Sequence, residues 1–234
     1  MTGAVAGKLL SIQAGVVRTH VIPAIPGHDD REWRTAYYKD AVSGPVRATR
    51  LGLVGDEQYS RHVHGGPDRA LLGYCAEHYA LWAAELGTDE IGPGGFGENL
   101  TISGLDEASV CLGDTYAIGA VRAQVTQPRG PCDNISRRWQ RPELVKRVAE
   151  TRRFGWYLRV LVEGEIAAGM SVELVERLYP EFNVGRVFEL KMHPSLDPAA
   201  VARLAVCPEL TPDVRAKFAA HAAKLGVGGG PGPA

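Results

Sequence analysis

Apolar and polar residues alternate most regularly in Thr115-Tyr116-Ala117-Ile118 and Val121-Arg122-Ala123-Gln124-Val125-Thr126, and a period of two marks a half-buried strand. Gly119-Ala120 between them supplies the glycine that a two-residue type II′ turn needs at its first position, so the two runs are predicted to form a hairpin. Looser alternation over residues 9–16 predicts an opening strand. Residues 156–162, a Glu163-Gly164 turn and residues 165–168 predict a second hairpin, and residues 171–176 a last strand. Two stretches follow a helical period instead. Residues 76–86 space Tyr79, Trp82 and Leu86 along one face and stop at Gly87, a suitable C′ residue. Residues 142–152 open on a proline and place Leu144, Val145 and Val148 together.

Beyond Tyr179-Pro180 the pattern turns wholly helical. Val184, Val187, Phe188 and Met192 form one stripe. Asp197-Pro198 and Thr211-Pro212 each pair a cap with proline at the first helical position, and the last helix turns Val214, Phe218 and Leu225 inward. Three helices of about ten residues do not fold alone, so they must pack on one another, on the preceding strands, or on both. The Gly- and Pro-rich residues 226–234 read as a disordered tail.

Composition sharpens the fold class. The 28 glycines among 234 residues exceed the usual 7% or so, and they concentrate between Gly44 and Gly130 among short apolar runs. That mixture fits a mainly β chain closing into a barrel, with a few peripheral helices and tight turns. The expected organisation is a barrel domain over residues 1–178, a three-helix domain over 179–225, and the tail. The 26 basic and 27 acidic residues balance to a net charge of −1, which argues against nucleic acid as a partner. No run approaches the roughly 20 apolar residues that cross a bilayer, and residues 1–11 lack a signal sequence, so a cytoplasmic protein is expected. Cys75, Cys111, Cys132 and Cys207 are irregularly spaced, without a CxxC pair, and are expected as free thiols.

Three Gly- and Pro-rich polar stretches are candidate sites for chemistry: residues 62–68, 94–100 and 127–132. Cys132 ends the third, after two prolines and Arg129, whose guanidinium can stabilise a thiolate or bind an anionic group. An ordinary buried thiol in a turn is the competing reading. Asp133 beside it disfavours a bare thiolate by like-charge repulsion, whereas a bound metal cation would outweigh one carboxylate, so a metal ligand is favoured over a free nucleophile. Cys75, Cys111 and Cys207 read as fillers. His62 and His64 suit a metal pair if extended, but the Gly-Gly-Pro that follows favours a local turn over a strand. Gly94 to Gly97 resembles a phosphate cradle only in its glycines. Glu98 fits a buried carboxylate accepting from that loop's amides, and Lys39 a solvated side chain.

Several segments, in this order, resemble the YiiM-like branch of MOSC-domain proteins. They are Thr35-Ala36 with Lys39, Val42-Ser43-Gly44-Pro45-Val46, Gly52-Leu53-Val54-Gly55-Asp56-Glu57-Gln58 and Val63-His64-Gly65-Gly66-Pro67-Asp68. Tyr74, Glu77-His78-Tyr79, Phe96-Gly97-Glu98-Asn99-Leu100, Leu112-Gly113-Asp114, Gln127-Pro128-Arg129, Pro131-Cys132 and Gly155-Trp156-Tyr157 continue the series. The resemblance spans residues 8–177, and the last three helices resemble the small domain that follows the barrel in this branch.

What it implies is a β-barrel holding a pterin-based molybdenum cofactor (molybdopterin), with Cys132 as the molybdenum ligand. The implied activity is reduction of N-hydroxylated bases such as hydroxylaminopurine to amines, a detoxifying oxidoreductase. On that basis Arg129 and Lys39 are expected at the cofactor's phosphate or pterin, and His64 as proton donor. Thr35, Glu98 and Asn99 are expected to line the pocket. The chain departs from the family pattern at Asp133-Asn134, where the family has an aromatic and a basic residue, which predicts a weaker hold on the cofactor.

No flavin, dinucleotide or iron–sulfur motif is present, so electrons are expected from an external donor protein or small reductant. Two other classes stay open at this level. One is a sulfur carrier or transferase using a Cys132 persulfide; it needs a desulfurase partner, and no pyridoxal-phosphate motif is present in this chain. The other is a non-catalytic cofactor-binding module.

Overall fold

The structure is a computed structural model that describes residues 4–23, 32–60 and 65–227. Its strands, in chain order, are β1 (Ala4–Ala14), β2 (Arg18–Val21), β3 (Glu32–Thr35), β4 (Asp40–Ala41), β5 (Val46–Thr49), β6 (Gly52–Leu53) and β7 (Leu71–Cys75). They continue as β8 (Leu100–Ser103), β9 (Thr115–Ile118), β10 (Val121–Pro128), β11 (Trp156–Val162), β12 (Gly164–Ile166) and β13 (Ser171–Glu176). The main sheet runs β13-β9-β10-β11-β7-β8-β1, and β1 also pairs with β13, so seven strands close on themselves as a barrel. Neighbours are antiparallel except β7 and β8. A parallel pair needs a crossover, and helix α1 (His78–Leu86) with the glycine loop after it provides one. The expected β-barrel class is borne out.

The barrel interior is filled by Leu9, Ile12, Leu71, Leu100, Tyr116, Val125, Trp156 and Leu158, among others. Each such large apolar side chain contributes about 1.5–3 kcal/mol through burial. Two glycines let β7 and β11 approach around Trp156. A Cβ on Gly73 would stand 2.9 Å from the Trp156 indole nitrogen, and one on Gly155 would meet the Gly73 carbonyl at 2.3 Å.

The β9–β10 hairpin forms as expected, with Val121 opposite Ile118 and a positive φ of 57° at Gly119 but not at Ala120. The second expected hairpin does not. The strand after Glu163, β12, leaves β11 and pairs with β5, Gly164 opposite Ala48 and Ile166 opposite Val46. Glu163 makes this switch local, since its carboxylate accepts from Arg47 Nη2 at 3.1 Å and from the Arg50 amide at 2.9 Å.

Two further helices flank the barrel between β10 and β11: α2 (Asp133–Trp139) and α3 (Leu144–Thr151). Periodicity missed α2, which is only seven residues long and buries just Ile135 and Ser136. The helices pack a second core with Trp33, Tyr37, Tyr74, Trp82, Phe96 and Phe154. Gly87 closes α1 in the left-handed region, as expected.

The C-terminal helices are α4 (Val184–Met192), α5 (Pro198–Ala205) and α6 (Pro212–Lys224). They share a third core in which Val187, Leu190, Val201, Leu204, Val214 and Phe218 meet Leu112, so they pack both on each other and on the barrel. Met192 is exposed rather than inward, and Leu190 takes its place. Asp197 caps α5 by accepting from the Ala200 amide at 3.0 Å. Thr211 does not cap α6, because its hydroxyl is spent on Gln127 of the barrel. Of the expected tail, Gly226 and Val227 still donate to Ala223 and Ala222 carbonyls, and residues 228–234 lie outside the described residues. Among the described residues no helix is long and apolar enough to cross a membrane.

Candidate functional site

At its Pro128 end β10 turns into the Gly130-Pro131 loop, whose course is fixed by the Arg129 amide donating to the Gly155 carbonyl at 3.0 Å. The next residue with reach is Cys132, in extended conformation at the N-cap of α2 and half-buried. Cys132 lines a cavity of about 250 Å³. Arg129, Thr35, Tyr37, Lys39, Asp56 and Asn99 also line that cavity, along with Arg69, Asn134, Arg137 and Tyr157.

Arg129 is the central donor. It is 3% exposed, yet Nη1 has no hydrogen-bond partner. Its Nη2 contacts the Tyr37 hydroxyl at 3.3 Å and the Cys132 sulfur at 3.8 Å. A buried guanidinium with an unused donor costs free energy unless a ligand accepts from it. Burial raises the Tyr37 phenol well above its ordinary range, with the Arg129 guanidinium only partly offsetting the effect, so Tyr37 stays protonated. Burial raises Tyr157 in the same way. Tyr37 itself needs Gly97, where a Cβ would press on its ring at 2.8 Å.

The opposite wall is built on Asp56. Its carboxylate accepts from the Gly15 amide at 2.8 Å and the Asn99 amide nitrogen at 2.9 Å, and pairs with Lys39. The Lys39 and Asp56 side chains are 7% and 1% exposed, so Lys39 is a buried ion-pair partner and not the solvated side chain expected. It reaches the cavity with its charge already matched. Asn99 also accepts from the Leu72 amide and donates to the Gln13 carbonyl, tying β1, β7 and the 56–58 segment to one point.

The expected site residues Cys132, Arg129, Lys39, Thr35 and Asn99 are thus brought to one cavity. Glu98 is not on its wall. It is wholly buried behind it, accepting from the Gly94 and Phe96 amides at 2.6 and 3.1 Å, from Thr101 at 3.0 Å and from Tyr79. That is the internal carboxylate anticipated for the glycine loop, and it uses the amides that a phosphate cradle would need. His62 and His64 lie outside the described residues.

Sequence reasoning passed over Asp56, Tyr37, Arg69, Arg137 and Tyr157 as site residues. Gly55, at φ 87° just before Asp56, was the available signal for a tight turn delivering a side chain. Arg137 gave none, because α2 was not foreseen. Asn134, at the departure from the family pattern, lines the cavity, and Arg137 one helical turn on brings a guanidinium to the same wall.

The other cysteines are inert fillers. Burial pushes the Cys75 thiol up to about 12 and Cys111 to about 11, and it raises Cys207 as well. Among the described residues no three His, Cys, Asp or Glu side chains gather as a metal-binding set. Cys132 is therefore the one described thiol that reaches the cavity.

Residues 60–173 match the family model described as "MOSC domain". The chain is 40% identical over 147 residues to "Protein YiiM" of Escherichia coli (strain K12), covering 62% of this chain and 65% of that protein. It is 36% identical over 181 residues, 76% of its length, to a Gibberella moniliformis protein named "Reductase", of which it spans only 31%. The solved structure of YiiM from Geobacillus stearothermophilus superposes with a TM-score of 0.76 at 31% identity, covering 92% of this chain and 99% of that one.

Proposed function

The chain belongs to the MOSC-domain family, in its YiiM-like branch, and from that premise we propose that it is a molybdenum-cofactor-dependent reductase of N-hydroxylated bases. MOSC domains are associated with molybdenum-cofactor binding in general. The observation that carries the reading is Cys132 on the cavity wall, its sulfur 3.8 Å from Nη2 of a buried Arg129 whose Nη1 has no hydrogen-bond partner. A soft thiolate suits a soft, sulfur-rich metal centre, and an unspent buried cation suits an acceptor-rich pterin, so the residues present fit the group.

When bound, the cofactor supplies the two-electron redox change. The chain's own groups hold and orient. Cys132 is the molybdenum ligand in this reading, and Arg129 donates to the pterin or its phosphate. Thr35, Asn99 and the Lys39–Asp56 pair shape the wall. Tyr37 keeps its hydroxyl proton and braces Arg129. His64 is assigned to proton delivery as the N–O bond breaks, a task suited to a group that titrates near neutrality. Electrons come from an external donor protein or small reductant. The fungal relative's printed name, "Reductase", supports the reaction class.

The test is Cys132→Ser made in a molybdenum-competent host. Wild type is expected to carry about one molybdenum and one pterin per chain and to reduce hydroxylaminopurine with an artificial reductant. The variant is expected to fold, lose the metal and lose turnover. A folded variant that retains molybdenum overturns the assignment.

A further inference from the structure

A second recess adjoins the Cys132 cavity. Its volume is about 590 Å³, and Arg34, Asp56, Glu57, Gln58 and Tyr59 line both spaces. The cavity itself, at about 250 Å³, falls below the roughly 300–1,000 Å³ of small-molecule pockets, whereas the recess lies within that range. One ring system seated against Cys132 fills the cavity, so a second ligand has its place in the recess.

The walls of the recess are fixed by local hydrogen bonds. The turn between β5 and β6 is closed by Thr49, whose hydroxyl donates to the Gly52 carbonyl at 2.8 Å and accepts from the Leu51 amide at 3.2 Å. Opposite it, the Glu57 amide donates to the Gly15 carbonyl at 2.7 Å, and the Glu57 carboxylate accepts from the Val17 amide at 2.7 Å. Tyr59 follows this anchored stretch. It is 57% exposed, the one exposed Phe, Trp or Tyr side chain among the described residues. The Arg34 guanidinium stands over its ring, 5.8 Å from the centre, and among the described residues no carboxylate pairs with it.

An aromatic face, a cation and a carboxylate therefore share one rim. A nucleobase uses all three, because it stacks through its π faces, accepts at ring nitrogens and donates from exocyclic amines. An anionic ligand would be repelled by Glu57 and would leave the ring idle.

We propose that the recess is the subsite for the purine ring of the substrate, with Tyr59 as the stacking platform that selects planar heteroaromatic bases. Arg34 braces that ring and donates to the base edge, and Glu57 accepts from exocyclic N–H groups. The subsite rests on the proposed function only for the chemistry done on the base.

The experiment titrates full-length protein from a molybdenum-competent host with 2-aminopurine, a fluorescent base whose emission is quenched on stacking against an aromatic ring. No turnover or reductant is involved. Wild type is expected to quench it saturably. Tyr59→Ala is expected to raise the Kd about tenfold or more, the loss of one base–aromatic stack, while Tyr59→Phe stays within about twofold of wild type. An exposed side chain contributes little to the fold, so the thermal midpoint of Tyr59→Ala should not move, which separates lost binding from lost folding. With hydroxylaminopurine and an artificial reductant, Tyr59→Ala is expected to raise KM by about the same factor and to leave kcat within about twofold.

Absence of saturable quenching in wild type, an unchanged affinity in a folded Tyr59→Ala, or a Tyr59→Phe as weak as Tyr59→Ala overturns the proposal. Tyr59-dependent binding of 2-aminopurine by protein that lacks molybdenum and turnover upholds the subsite and sinks the reductase reading. Turnover with an affinity indifferent to Tyr59 does the reverse.

Discussion

Asp56 carries more of the site than any residue singled out by sequence, because one buried carboxylate holds Lys39, Gly15 and Asn99 together. Asp56→Ala leaves the Lys39 charge buried and unmatched, and is expected to cost about 3–5 kcal/mol in urea unfolding. Lys39→Met leaves that carboxylate with neutral donors and should cost less, and the double variant should recover part of the Asp56→Ala loss. Additive losses would show that the pair is not coupled. Gly155 is a second single-residue constraint: at φ 77°, with the Gly73 carbonyl 2.3 Å from any Cβ, Gly155→Ala is expected to destabilise by about 2 kcal/mol or more. A loss within a few tenths of a kcal/mol would mean the backbone there relaxes freely. Cys132 and Arg129 were legible because a guanidinium between two prolines, with a thiol directly after the second, is conspicuous in the chain. Asp56 was not, since what distinguishes it is partners 17, 41 and 43 residues away.

Among elements, the periodic ones were the readable ones. The β9–β10 hairpin, β13, α1 and α5 follow from alternation, a turn glycine or a capping aspartate, all local signals. Asp197→Ala is accordingly expected to cost about 1 kcal/mol, with the loss visible as a lower thermal midpoint. An unchanged midpoint would mean that the cap is idle and that the Arg186 contact at 3.1 Å is also worth nothing. The strand β12 defeated local reading because Glu163-Gly164 looks like a hairpin turn, while its true partner, β5, lies more than a hundred residues earlier. Helix α2 escaped because seven residues show too little period, and Thr211 misled because a threonine before a proline caps a helix elsewhere but here bonds Gln127.

At the level of the whole molecule, carboxylates tie separate elements together, and their pKa shifts give the acid response. Arg147 hydrogen-bonds Glu85 and holds its carboxyl below the ordinary range, joining α3 to α1; Glu189 on α4 is lowered by Arg186 of the same helix and by Arg152 at the end of α3, which joins those two helices. The Arg50 amide likewise lowers Glu163. A carboxyl depressed in the folded state adds stability that is complete above its unfolded pKa and disappears as pH falls through the folded value. Unfolding free energy should therefore be flat with respect to these groups above pH 5 or so and decline below about 4.5, less steeply at high salt. A steep decline already between pH 7 and 5 would assign the response to other groups.

The closure of the sheet through β1 and β13 has a further consequence, for how the molecule is made. β1 cannot pair with β13 until residue 176 has emerged from the ribosome, so one rim stays unzipped while the residues between them are made. An exposed rim is a template for pairing with other chains. Translation stalled before β13 should therefore yield clumped, chaperone-bound product, whereas stalling after α6 should release monodisperse protein.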